Sequence, residues 1–164
     1  MKSKFFGEID INNVQDCYDA SLDLDGAAIN VDVWFEQKTI DPELIEEVDS
    51  FYNALPSHVR LVKEIIASDF EFGEEVKEYL DNELYALEDP ELAALGIDLT
   101  KDEPAKMHDL YQKLHLKRVG TYPSEPAGGA FAVFDFTISE EITDQLLVVK
   151  LDKQGQLVEL TSES

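Results

Sequence analysis

Hydrophobic and polar positions change period twice along the chain. Tyr18 to Leu24 and Ala27 to Glu36 alternate with period two, as half-buried strands do. Asp25-Gly26 between them suits the positive φ angles of a two-residue type I′ turn, so the segment predicts a hairpin. That turn fixes the register. Leu22 opposes Ile29, Ala20 opposes Val31 and Tyr18 opposes Val33 on a core face. On the other face Ser21 opposes Asn30, Asp19 opposes Asp32 and Cys17 opposes Trp34, with Asp23 beside them. Lys4 to Asp10 is expected to add a further strand.

From residue 41 the period lengthens to that of helices. Asp41-Pro42 is an N-cap followed by the proline that suits the first helical position, and Leu44, Ile45, Val48, Phe51, Tyr52 and Leu55 follow at helical spacing. Ser57 is expected to cap a second helix with Val59, Val62, Ile65, Ile66 and Phe70 inward, ending near Gly73. A third runs from about Glu74, with Val76, Tyr79, Leu80, Leu84 and Leu87 inward. Asp89-Pro90 opens a short turn of helix that Gly96 stops, and a last helix starts at Pro104 with Met107, Leu110, Tyr111 and Leu114 as its stripe.

Strands return after that helix. His115 to Tyr122, Ala130 to Ile138, Gln145 to Leu151 and Gln156 to Thr161 read as an antiparallel meander, and Gly120 to Gly129 as an irregular segment. Strands, helices, then strands predict an α+β fold: an antiparallel sheet built from the N-terminal hairpin and the C-terminal meander, with the helical block on one face. A length of 164 residues suits a single domain divided into 1–40, 41–114 and 115–164.

Charge changes this picture most. Thirteen Lys and Arg against 36 Asp and Glu give a net charge of −23. Residues 41–103 carry 4 of those bases and 19 of the acids, a net −15, so the acidity is helical. Such a field repels nucleic acid and anionic lipid and attracts basic partners. Cys17 is the single cysteine, no apolar run approaches a membrane span, and Met1 to Phe6 lacks a signal-peptide core, so the chain reads as cytoplasmic.

Chemical motifs are sparse. Ser21, Asp23, Asp25, Gly26 and Asp32 fall at EF-hand positions, yet the first and last ligands are the wrong residues and the flanks alternate like strands. His58, His108 and His115 do not complete a zinc motif, and Gly128-Gly129 precedes a strand and lacks the Lys-Ser/Thr ending of a phosphate loop. Cys17 has no histidine nearby in sequence. No metal, cofactor or catalytic residue is therefore expected. What remains is arrangement: Asp19, Asp23, Asp32 and Trp34 on one sheet face, and Glu71, Glu74, Glu75 and Glu78 on helices with only Arg60, Lys63 and Lys77 among them. The Asp19 and Asp32 pairing is expected to cost the sheet up to about 1 kcal/mol, which makes that face a candidate site for a cationic partner.

Phe5-Phe6-Gly7 with Ile9, Asp32-Val33-Trp34-Phe35, and Tyr122-Pro123 followed by Ala132 to Ile138 resemble an uncharacterised family of small acidic bacterial proteins, domain of unknown function 2004. The resemblance covers the two β ends and implies no activity. The reading favoured by charge is a cytoplasmic binding protein for a basic protein partner, such as an immunity-type inhibitor of a toxin. The alternatives are an accessory domain without a discrete site and an enzyme with a carboxylate site beside the Gly120 to Gly129 segment.

Overall fold

The computed structural model describes residues 1–124 and 129–164. At its start two short strands, β1 (Lys2–Ser3) and β2 (Gly7–Glu8), pair antiparallel in place of the one strand expected over Lys4 to Asp10. A strand sends adjacent side chains to opposite faces. Here the turn between β1 and β2 instead brings both Phe5 and Phe6 onto Tyr52, with ring centroids 5.7 and 5.4 Å away.

Strands β3 (Cys17–Leu24) and β4 (Ala27–Trp34) flank Asp25 and Gly26, whose φ angles of 53° and 85° are those of the type I′ turn. Their register is the expected one at every position, including Tyr18 with Val33 and Asp19 with Asp32. The chain then forms α1 (Pro42–Asn53), α2 (Leu55–Phe72), α3 (Glu75–Ala86), α4 (Asp89–Ala94) and α5 (Glu103–Tyr111). It returns through β5 (His115–Thr121), β6 (Ala132–Thr137), β7 (Leu146–Leu151) and β8 (Leu157–Glu163). β5 matches the strand expected over His115 to Tyr122 and takes in Gly120 and Thr121, with which the irregular segment was expected to begin; residues 125–128 of that segment lie outside the described residues.

The fold is α+β, and its six-stranded sheet runs β3-β4-β5-β6-β7-β8. All pairs are antiparallel except β4 with β5, which is parallel, so the sheet is mixed where an antiparallel one was expected. The reason is the connection. A parallel pair needs a long crossover, and the whole helical block supplies it. Tyr52 of α1 closes this junction: its hydroxyl lies 2.9 Å from the main-chain oxygen of Asp32 on β4 and 3.0 Å from that of Val119 on β5. Its one proton is shared between these acceptors, and burial raises the phenol's pKa.

Asp41 caps α1 through the amide of Glu43, as its sequence indicates. By contrast α2 begins at Leu55 with no side-chain cap, and Ser57 lies inside its first turn. Pro56, which lacks an N–H, occupies one of the positions where a cap would have bonded. At the other end, the Asp69 carboxylate accepts the Val76 amide at 2.7 Å and so caps α3 across the corner. A Cβ on Gly73 would stand 2.2 Å from Asp69 Oδ2, which makes glycine a condition of that corner. The apolar stripes of the helices pack with Val31, Val33, Val119, Phe134, Phe136, Leu147 and Val149 of the sheet in one buried cluster. Each such apolar side chain contributes about 1.5–3 kcal/mol by leaving water.

Candidate functional site

Arg118 stands on β5, on the sheet face opposite the helices, between two aspartates. Its Nε donates to Asp32 Oδ2 at 2.5 Å and its Nη2 to Asp32 Oδ1 at 2.8 Å, a two-point clamp. Nη1 reaches Asp135 Oδ2 at 2.9 Å, and Nη2 also reaches the Tyr122 hydroxyl at 3.1 Å. Gly120 makes room for this layout, since a Cβ there would lie 2.5 Å from Arg118 Nη2 and 2.8 Å from Asp32 Oδ1. The carboxylates are about 10% exposed and the guanidinium 25%. Burial alone would lower the Arg118 pKa, but its bonds to Asp32, Tyr122 and Asp135 outweigh it and hold the group charged.

The expected unneutralised Asp19 and Asp32 pair is corrected by this arrangement. The two residues do face each other, but Asp32 is buried and bound to Arg118, while Asp19 is exposed. Trp34 is 42% exposed, and its indole N–H donates to Asp32 Oδ1 at 2.7 Å, so it too serves the carboxylate beneath it. Asp23 Oδ1 accepts the Gly26 amide at 3.0 Å and stabilises the hairpin turn. The face that sequence reasoning marked for a cationic partner already holds a cation of its own.

The helical acids are placed differently. Glu71, Glu74, Glu75 and Glu78 are all exposed around the α2–α3 corner. Among the described residues no ion pair ends on a carboxylate of α2 or α3. Phe72, at the end of α2 beside these acids in sequence, is 81% exposed, and Tyr85, near the far end of α3, is 94% exposed. Glu75, Glu78, Asp81 or Asn82, and Tyr85 recur at helical spacing of three and four, which puts them on one stripe. Phe72 and Tyr85 were missed from sequence, although both fall off the apolar stripes of their helices.

Glu83 differs from these exposed helical acids. It is 1% exposed, Thr143 Oγ1 donates to its Oε1 at 3.0 Å, and Oε2 has no partner among the described residues. Burial raises its pKa above the ordinary 4.5, the Thr143 bond lowers it, and Asp144 raises it further. Its spacing four after Tyr79 and seven after Val76 puts it on the inward stripe, which is the signal that could have found it.

Three observations bear on catalysis. Burial, then Asp32 and Asp19, raises the pKa of the Cys17 thiol, the reverse of an activated nucleophile. A cleft of about 200 Å³ is lined, among the described residues, by Trp34, Phe35, Glu36, Tyr122 and Ser124. Among the described residues no group of three His, Cys, Asp or Glu is placed to hold a metal ion. No protein-family model, curated protein or solved structure matches the chain.

Proposed function

We propose that this protein is an acidic binding module that captures a basic polypeptide, with the α2–α3 corner as its contact surface. The observation that carries the reading is Phe72, bare to solvent at the corner, together with Glu71, Glu74, Glu75 and Glu78, none of which is paired to a cation among the described residues, with the bare Tyr85 further along the Glu75 and Glu78 stripe. Exposed aromatic rings are anchors in search of a pocket, because each large apolar side chain gains about 25 cal/mol per Å² when a partner covers it. Unpaired carboxylates around them steer a cationic surface into place and speed encounter. An inhibitor that sets carboxylates where a nuclease-type toxin would hold phosphates is the member of this class that such an arrangement suits.

Affinity capture from native extract tests the reading. Wild-type protein should retain a basic polypeptide at equal stoichiometry. A variant carrying Phe72→Ser, Glu74→Gln and Glu75→Gln should lose it, whereas Trp34→Ala should keep it. Retention by the helix variant, or capture of no basic polypeptide at all, would refute the proposal.

A further inference from the structure

A cleft of about 650 Å³ lies elsewhere, between α1 and the turn joining β7 to β8. Its rim carries Glu43, Glu46 and Glu47 of α1 and its floor carries Phe51 and Phe131, both largely buried. One side chain of the protein itself enters this space. Lys153 Nζ lies 3.1 Å from Glu47 Oε2 and 5.9 Å from the centre of the Phe131 ring. His58 stacks on Phe51 at 4.5 Å, which leaves Phe131 as the ring face that an ammonium group meets. Glu43 and Glu46 are without a cation among the described residues, so three carboxylates line a space that holds one ammonium and is far larger than one side chain.

We infer that this cleft is a receptor for a lysine side chain of a partner polypeptide, and that Lys153 occupies it in the partner's absence. Lysine fits on three counts. Its apolar stem can lie along an aromatic floor, its compact ammonium needs only a single-point carboxylate contact, and an ammonium over a ring within about 6 Å is attracted to the ring face. Glu47 is the contact that Lys153 already makes, and Glu43 and Glu46 supply the negative potential for a second ammonium. The site draws on α1, the start of α2 and the β7–β8 turn, not on the α2–α3 corner, and shares with that proposal only the charge of its ligand.

The test is a titration of isotope-labelled protein with acetyl-Gly-Lys-Gly-amide, followed by amide chemical shifts, with the Nε-acetylated peptide as the uncharged control. Shift changes should concentrate on α1, Phe131 and Lys153, and the acetylated peptide should produce none there. Lys153→Ala removes the internal competitor and should tighten binding about two- to fivefold, the worth of one exposed ion pair. Glu47→Gln should weaken binding. Absence of shifts in the cleft, equal shifts with both peptides, shifts spread evenly over all acidic surfaces, or weaker binding by Lys153→Ala would each overturn the inference. Because the probe carries a single lysine and is read at the cleft, none of these results bears on the α2–α3 corner.

Discussion

The outer face of the sheet and the α2–α3 corner are both rich in aspartate and glutamate, and they handle that charge in opposite ways. On the sheet, Asp32 and Asp135 are buried and share one guanidinium at 2.5 to 2.9 Å, with Trp34 and Tyr122 adding hydrogen bonds. On the helices, Glu71, Glu74, Glu75 and Glu78 stand in water with no ion pair among the described residues. The first is an internal network whose charges serve the fold. The second leaves its field directed outward. Acidity by itself therefore does not mark a binding surface; the absence of an internal counter-charge does.

Breaking the network should give the largest effect. Arg118→Met leaves two buried carboxylates without a cation and should cost about 3 kcal/mol in a denaturant melt, near the low end for buried pairs because the guanidinium is a quarter exposed. Asp32→Asn removes the charged half of the two-point clamp and should cost about 2 kcal/mol. This reverses the stabilisation that the Asp19 pairing alone would suggest. If Asp32→Asn proved neutral, the sheet network would be an exposed ornament and the contrast would fail.

Glu83 sharpens the comparison from inside. Its folded pKa is raised, so its contribution to stability is full below the unfolded value near 4.5 and is lost as pH rises through the folded value. Glu83→Gln keeps a group for Thr143 to bond and should flatten that slope. At neutral pH the variant should melt at or above the wild-type midpoint, because an amide carries no charge to bury. An unchanged pH profile would mean that Glu83 is charged and solvated.

The smallest effects belong to the surface acids. Asp19→Asn should lie within about 0.5 kcal/mol of wild type, because Asp19 is exposed while its opposite number is neutralised. Screening acts over about 8 to 10 Å near physiological salt, so raising ionic strength to that level should lift the melting midpoint. Most of that rise should vanish in a variant with Glu74→Gln, Glu75→Gln and Glu78→Gln. A flat wild-type curve would indicate cations already bound to the corner.

Local rules carried the sequence reading where contacts are local. The Asp25-Gly26 turn dictated each β3–β4 pair, and helical spacing located the inward faces of α1 to α3. Pairings across distance were illegible. Arg118 meets Asp32 across 86 residues, and nothing in either strand's alternation announces which partner the other will find or that β4 and β5 run parallel. The short N-terminal hairpin escaped because Phe5 and Phe6 answer to Tyr52, not to a neighbouring strand. At the candidate site the acids were legible from composition, whereas the division between paired and unpaired acids required the tertiary fold.

Once a basic polypeptide is isolated by capture, its dissociation constant measured side by side for wild type, Phe72→Ser and Trp34→Ser bears on the contrast most directly. Both substitutions remove an exposed ring, one from the unpaired surface and one from the paired surface. The expected result is a loss of about tenfold or more for Phe72→Ser, since an aromatic anchor at a hot spot is worth upward of about 1.4 kcal/mol, with Trp34→Ser within about twofold of wild type. The contrary result is the reverse order, with Trp34→Ser the damaging change, which would place the contact on the sheet face despite its internal cation.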